Sequence, residues 1–518
     1  MKTFPMQDFS GGWNSRDAWS QLGDNESQSL FNVTFDERGG IVKRLGLQRT
    51  GAPNYGSNTS ADRINVIYYS HVFDQILVQV GTQLKYLDHG PDGSWSPLLT
   101  AFTTADRVSI TDFVGITVII HPVDGCYLFN GTSLSGPVTN SPNGRGIAVW
   151  QNALWSIYDH GNGSRVTRSN LGDPSWPVDP VYVDIRAKDD QALTAIGGGI
   201  GMDPLGRDGL LVWKESSHYR INDPTTASYT VENYTHGAAG SQAVATNQGV
   251  TVAISKNGIV ATTGSGTPGV IVSDKISNLF HPSVLVDPGL DSNLANMVAT
   301  TYRDKFVFSV TWQHHTINNM SFEWHPVHQW FAPHDFGMGC ATERQGELLA
   351  ALTSLSDGNV DGDGFLYRVF KGWLDDTAVF NANHQTRWFE PNNGNMCRYR
   401  RLLVNGHGNF IIRFKVDYDA TENAADWPIS ILDAAAQWDA GIWDVSTFGD
   451  EGFQGWDKLF SLGYGRVFSI EVSDDPDDPE SASASAYGPK LLGVGDPEEK
   501  GSWSLYGYDL DIQPLGNS

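Results

Sequence analysis

Several groups of residues carry side chains whose types and spacing could do chemistry. His314, His315, His325, His328 and His334 crowd one stretch, and His325-Pro-Val-His328 has a spacing that metal ligands use. The zinc-protease pattern needs a glutamate and a helix between its histidines. Pro326 interrupts any helix here, so ordered surface or core histidines are the favoured reading. Asp357-Gly-Asn-Val-Asp-Gly-Asp-Gly-Phe places oxygen donors at alternate positions, the hard-ligand chemistry of calcium, but lacks the terminal bidentate glutamate of an EF-hand. A tight turn explains the run more simply, because Asp-Gly and Asn-Gly supply the positive φ that hairpins require. No catalytic residue, cofactor or metal ligand is assigned from these groups.

Arg398, Arg400, Arg401, Arg413 and Lys415 form a dense basic cluster alternating with aromatic and aliphatic residues. On a strand, alternate positions share a face, so Arg398 and Arg400 are expected to project together. Cross-strand pairing with nearby acids is the preferred reading, and contact between subunits is the functional one. Trp438-Asp-Ala-Gly-Ile-Trp443-Asp and Gly455-Trp456-Asp lie near Phe448 and Phe453. They either fill a small core or form an interface, where tryptophan is favoured at hot spots. Beside so acidic a loop the interface is preferred, which makes Arg398, Arg400, Trp438, Trp443 and Trp456 the candidate oligomer contacts. That loop, Ser473-Asp-Asp-Pro-Asp-Asp-Pro-Glu-Ser-Ala-Ser-Ala-Ser-Ala, cannot bury enough apolar surface to hold itself. Its Asp474, Asp475, Asp477 and Asp478 are candidates for facing a channel.

The elements that must position these residues are strands. With 40% hydrophobic and 18% charged residues the chain is a packed globular protein, so its 56 glycines and 24 prolines serve as turns between short apolar runs. Ile64-Asn-Val-Ile-Tyr-Tyr, Gln75-Ile-Leu-Val-Gln-Val, Gln83-Leu-Lys-Tyr-Leu and Ile116-Thr-Val-Ile-Ile read as strands separated by Gly, Asp and Asn. The rhythm returns at Ala153-Leu-Trp-Ser-Ile-Tyr, Leu210-Leu-Val-Trp-Lys, Val250-Thr-Val-Ala-Ile-Ser and Phe306-Val-Phe-Ser-Val. One such meander cannot bury both of its faces, so several must pack radially as propeller blades. At roughly 40 to 50 residues a blade, residues 56–385 hold about five to seven. Longer basic-aromatic strands begin near residue 386, which suggests a separate β-sandwich or barrel over 386–518. The expected fold is therefore all-β: a leader over 1–55, a β-propeller, and a β-sandwich or barrel-like platform.

Thirty-four basic against 59 acidic residues give a net charge of −25, which opposes any general grip on a polyanion such as DNA. Solubility is the plainer role of that charge. Cys126, Cys340 and Cys397 are far apart, with no CxxC, and suggest neither a disulfide framework nor a thiolate metal site. No stretch approaches the length of a membrane helix, and the amino terminus lacks the apolar core of a signal peptide, so synthesis in the cytosol is expected.

The leader Asp8-Phe-Ser-Gly-Gly-Trp-Asn, followed by Leu22-Gly-Asp-Asn-Glu-Ser, Phe31-Asn-Val and Gly39-Gly-Ile-Val-Lys-Arg-Leu-Gly, resembles the opening of bacteriophage tail nozzle and hub proteins. Trp150-Gln-Asn-Ala-Leu-Trp, Arg165-Val-Thr-Arg-Ser-Asn-Leu-Gly-Asp-Pro-Ser-Trp and Leu211-Val-Trp-Lys-Glu-Ser-Ser-His-Tyr-Arg-Ile are similar to a propeller segment of short-tailed phage hubs. The ordered succession of these motifs carries the resemblance. It implies a structural virion protein of the tail that forms a homo-oligomeric ring, hexameric in short-tailed phages, around a DNA ejection conduit. Adaptor proteins, other tail proteins and tail fibres are the implied partners, and phage DNA passes without specific binding. The leader is expected to pack on the carboxy-terminal domain, and neither a catalytic residue nor a cofactor comes with the family.

The alternative is a propeller that binds or cleaves glycan. Sialidase-like propellers carry Ser-x-Asp-x-Gly-x-Thr-Trp turns, and Ser169-Asn-Leu-Gly-Asp-Pro-Ser-Trp only approaches that pattern, with Asp173 two positions late. Paired carboxylates for glycoside hydrolysis do not stand out among so many acids.

Overall fold

The structure is a computed structural model that describes residues 2–18, 20–36, 39–51, 63–87, 90–99, 101–158, 163–186, 191–197, 209–222, 230–262, 269–280, 296–311, 317–354, 365–372, 375, 380–393, 395–417, 426–431, 454–473 and 503–514. The chain divides into two compact units. One holds Gln48–Pro326 and Asp335–Val369, and the other holds Met1–Leu47, Val327–His334 and Phe370–Ser518.

Among the described residues, seven four-stranded sheets follow one another along the chain as the blades of a β-propeller. Their first strands are Ile64–Ser70, Ser109–Phe113, Gly144–Trp150, Leu193–Gly197, Val244–Asn247, Val298–Tyr302 and Gly337–Arg344. These first strands are each other's neighbours around the ring, and Gly337–Arg344 lies against Ile64–Ser70 to close it. They are therefore the innermost strands, and their amino-terminal ends share one mouth of the axis. Second strands such as Gln75–Val80 and Gly209–Lys214 are buried along their whole length, because each is covered on both faces by neighbouring blades. The first hairpins turn through pairs with positive φ, Val114-Gly115, Gln151-Asn152, Gln248-Gly249 and Gln345-Gly346, as the twist of two-residue hairpins demands.

The seventh blade takes its outer strand from far away in sequence. Gly337–Arg344, Glu347–Ser354 and Tyr367–Val369 are completed by Leu47–Arg49, and the Thr50 amide extends the pairing to the Leu366 carbonyl at 2.9 Å. Sewing an early strand to a late blade removes an open edge that would otherwise invite pairing with another chain.

The platform is an eleven-stranded sheet whose path runs Gly12–Trp13, Glu26–Phe31, Asn383–Thr386, Phe468–Ser473, Cys397–Val416, Trp503–Pro514, Ile41–Lys43 and Val33–Phe35. Lys2–Met6 joins Trp503–Pro514, pairing residue by residue from Lys2 opposite Ile512 to Met6 opposite Tyr508. Asp426–Ile431 and Gln454–Gly465 join the long strand Cys397–Val416. One core runs through the unit and draws Phe9, Leu30, Val33 and Ile41 from the leader together with Tyr399, Phe414, Phe468 and Leu510 from the carboxy-terminal part. The division of the chain differs from the limits at 55 and 385 that composition suggests. Leu47–Arg49 already belongs to a blade, and Asn383–Thr386 is hydrogen-bonded between Glu26–Phe31 and Phe468–Ser473.

Candidate functional site

The long strand Cys397–Val416 carries the basic cluster. Its pairing with both Gln454–Gly465 and Trp503–Pro514 slips between Tyr399 and Arg401, and against Trp503–Pro514 Arg400 is the extra residue, with no partner in the ladder. The bulge reverses the parity of the strand: Cys397 and Tyr399 are buried before it, Leu402 and Val404 after it. Arg398, half-buried, and Arg400, exposed, both alternate with the buried Cys397 and Tyr399, and the alternation breaks only after Arg400. The remaining cations meet acids across the sheet. Arg401 Nε lies 3.5 Å from Asp511, Arg413 Nη1 donates to Glu471 at 3.3 Å, and Lys415 pairs with the same Glu471. Trp456 stands in register with Val404 of the long strand. Trp438, Trp443, Asp474, Asp475, Asp477 and Asp478 lie outside the described residues, as do His314, His315 and the run from Asp357 to Gly364.

The leader motifs occupy a buried polar network in the platform. Arg44 is 1% exposed; its Nη1 and Nη2 reach the two carboxylate oxygens of Asp375 at 2.8 and 2.6 Å, and its Nε donates to Asn32 Oδ1 at 3.0 Å. The guanidinium lies over the Phe380 ring, 3.9 Å from its centroid. Lys43 donates to the Phe380 carbonyl at 2.9 Å, and Asn32, in the left-handed region at φ 55°, donates its side-chain amide to the Asn381 carbonyl at 2.6 Å. Asparagine tolerates that backbone conformation better than other side chains, which accounts for the Asn-Val pair at this point of the leader. The Gly-Gly step has a steric reason. A Cβ on Gly12, at φ 70°, would stand 2.7 Å from Trp330 Cβ, and one on Gly11 would stand 2.6 Å from the Asn25 carbonyl oxygen.

Beside this network, His384 is 1% exposed, and its Nδ1 is 3.0 Å from Ser27 Oγ. Phe9 stands edge-on to both His384, at 5.2 Å, and Tyr508, at 5.8 Å. His384 Nε2 and Tyr508 Oη are buried without a hydrogen-bond partner among the described residues. Burial pushes His384 down to about 3 and the Tyr508 hydroxyl well above the ordinary phenol range. Asp375, Phe380 and His384 carry no sequence signal that sets them apart, because their role comes only from distant leader residues folding onto them.

Other candidate chemistry resolves into structure. Ser169 Oγ accepts the Leu154 amide at 3.0 Å, Asp173 accepts the Ser175 amide at 2.8 Å, and Asn170 Nδ2 donates to Ser175 Oγ at 2.9 Å, so this segment is a hydrogen-bonded turn. His325 Nε2 lies 3.1 Å from Asp304. Among the described residues no group of three or more His, Cys, Asp or Glu is placed to hold a metal ion. Cys126, Cys340 and Cys397 are buried free thiols, and burial raises the first two to about 12. No helix among the described residues is long and apolar enough to cross a membrane.

At the mouth of the propeller axis, four inner strands carry a bulge near their start, at Asn65, Arg145, Thr194 and Gly339. Side chains from other blades bind this irregular backbone. Gln242 Nε2 of the fifth blade donates to the Asn65 carbonyl of the first at 3.2 Å, and Arg107 Nη2 of the second donates to the Gly339 carbonyl of the seventh at 3.3 Å. Asn65 Nδ2 in turn donates to the Ala105 carbonyl at 3.1 Å. Bonds between blades that are not adjacent draw this end of the axis together.

No family model matches the chain, and no curated protein matches it. Among solved structures it is similar to a chain described as "Crystal Structure of Mitotic Checkpoint Complex", at 11% identity and a TM-score of 0.38 over 61% of this chain and 93% of that chain. The β-propeller is established by the order and pairing of the chain's own seven sheets.

Proposed function

We propose that this chain is a structural subunit of a bacteriophage tail, a ring-forming nozzle or hub around the path of the ejected DNA, with no enzymatic role of its own. The observation that carries the reading is the fate of the leader motifs. Asn32, Lys43 and Arg44, which belong to two of the leader motifs in the resemblance, are buried in one network that ties the leader to Asp375 and Phe380. Residues buried in such a network serve the architecture of the platform rather than a local turn. The bridged axis supports the second part of the reading. Gln242 and Asn65 join opposite sides of the propeller, so a duplex would pass through a ring built from several copies and not through the propeller itself. Adaptor proteins, tail fibres and other tail proteins are the partners of such a ring.

Negative-stain microscopy and native mass spectrometry of the full chain test the proposal. The expected result is a closed ring of identical copies, with antibodies to the chain labelling the ends of virion tails. Replacing Trp443 and Trp456 by alanine is expected to weaken ring formation more than propeller folding. A chain that stays monomeric at every concentration and turns over surface glycan would overturn the reading.

The net charge of −25 then acquires a role, because an acidic wall repels the phosphate backbone and leaves no wells in which a moving genome would stall. Changing Asp474, Asp475, Asp477 and Asp478 to lysine is expected to slow DNA ejection at low salt, with recovery as added salt screens the new charges. Ejection rates indifferent to both the substitutions and ionic strength would place those carboxylates away from the channel.

A further inference from the structure

His121 is a buried imidazole at the mouth of the propeller axis where the inner strands begin. It ends the second strand of the second blade, Ile116–His121, beside the start of the inner strand Ser109–Phe113. Its hydrogen bonds define one protonation state. Nδ1 accepts the backbone amides of Val123 and Asp124 at 3.2 and 3.1 Å, which leaves Nε2 to carry the proton and donate to the Thr104 carbonyl at 3.3 Å. The Phe102 ring stacks flat on the imidazole with 4.5 Å between centroids. The neutral ring therefore clasps residues 102–106, part of the link between the first and second blades.

The clasped segment holds the mouth together. The Ala105 carbonyl accepts Asn65 Nδ2 at 3.1 Å and the Asp106 carbonyl accepts Gln79 Nε2 at 2.7 Å, while Gln79 Oε1 takes the Val108 amide at 2.9 Å. Asn65 offers its own carbonyl to Gln242 of the fifth blade at 3.2 Å, the bond that spans the axis. A continuous series of hydrogen bonds and peptide links thus runs from His121 to the axial bridge.

The ring also has a second acceptor within reach. Asp124 Oδ2 lies 3.1 Å from Nδ1 and accepts the Thr103 amide at 2.8 Å, and Asp124 Oδ1 accepts Thr103 Oγ1. A proton on Nδ1 would end its acceptance of the two amides and make it a donor to Oδ2, in competition with Thr103. Asp124 and Asp106 are the charged groups that face the ring, and Asp106 is exposed and accepts from Thr104 Oγ1 at 2.7 Å. Tyr127 of the adjoining strand Gly125–Phe129 is raised by burial and stays neutral. Burial outweighs the two carboxylates and lowers His121, in accord with the neutral ring that the amide bonds require.

We propose that His121 is the sensor of a pH-operated latch: acidification loosens residues 102–106, frees Asn65 and opens this mouth of the axis. The two alternatives differ in what Nδ1 and Asp124 Oδ2 bind, so the proton itself selects between them. Closure is complete above the ordinary histidine value of about 6.5 and is lost as pH falls below it.

Hydrogen exchange of the full chain, read by mass spectrometry at pH 7.5 and 5.5 and corrected for intrinsic rates, tests the inference. Peptides covering residues 101–108 and Ile64–Ser70 are expected to exchange about tenfold faster at the lower pH, with Lys305–Val310 of the sixth blade unchanged. His121→Gln keeps a donor for the Thr104 carbonyl but takes up no proton, so its exchange is expected to be equal at both pH values. Asp124→Asn keeps an acceptor for the Thr103 amide but removes the anion that the imidazolium meets, so opening is expected to move to lower pH. That variant carries the test if His121→Gln does not fold. Exchange indifferent to pH in the unaltered chain, an equal acceleration in Lys305–Val310, or an unchanged pH dependence in the folded variants would overturn the inference. The measurement needs no ring, so its outcome is separate from that of the tail reading.

Discussion

Replacing Arg44 by alanine is expected to destabilise the platform by about 3–5 kcal/mol, the range seen when one partner of a buried ion pair is removed. Asp375 would be left 2% exposed, with both carboxylate oxygens stripped of the donors that now stand 2.8 and 2.6 Å away. Asn32 Oδ1 would lose the Arg44 Nε donor as well, and the Phe380 ring one of its two cations, Lys43 remaining 4.4 Å from its centroid. Arg44→Lys is expected to recover only part of the loss, because an ammonium cannot span both oxygens and reach Asn32 as the planar fork does. Replacing Arg44 and Asp375 together by apolar residues of similar volume is expected to cost much less than either single change. Two units in one chain make a single unfolding midpoint ambiguous. Hydrogen exchange read by mass spectrometry on peptides from Glu26–Phe31 and Cys397–Val416 reports the platform alone. A loss below about 1 kcal/mol in Arg44→Ala would show that the network is solvated or dispensable.

The second large effect is acid sensitivity of the same unit. An unfolded histidine titrates near 6.5, whereas burial lowers His384 to about 3 in the folded protein, so the unfolded chain binds the proton more readily between these values. The contribution of His384 is fully present above the unfolded value and is lost progressively as pH falls toward the folded one. The full loss is about 5 kcal/mol, and about 2 kcal/mol of it falls between pH 6.5 and 4.5, above the range in which most carboxylates titrate. His384→Asn is expected to flatten that slope, since an amide can still meet Ser27 Oγ but takes up no proton. Platform hydrogen exchange compared at pH 6.5 and 4.5, after correction for intrinsic exchange rates, measures the difference. Equal slopes in the two proteins would mean that His384 is not the titrating group. His121 and His218, both lowered by burial, act in the same direction within the propeller, which is why the readout must be confined to the platform.

What the sequence determined alone was the class of the fold and the rhythm of its strands. Short apolar runs such as Gln75-Ile-Leu-Val-Gln-Val, punctuated by Gly, Asn and Asp, can bury themselves only as β-meanders packed face to face, and that follows from period and composition without any long-range knowledge. The leader motifs were equally visible as motifs. Their meaning was not, because Arg44 meets Asp375 across more than three hundred residues, and a buried acid looks like any other among 59 acidic residues. The same limit hid His384, whose perturbed titration comes from being enclosed by Ser27 and Phe9 and not from its own neighbours in the chain. The end of the alternation after Arg400 was hidden for a different reason: alternation is a local rule, and a bulge set by pairing with Trp503–Pro514 resets it within one residue. Ring closure and the strand Leu47–Arg49 in the seventh blade were likewise decided by tertiary structure. Local sequence fixes which residues can form strands and which face is apolar, while the partner of each strand and the neighbour of each charge depend on where the whole chain returns to itself.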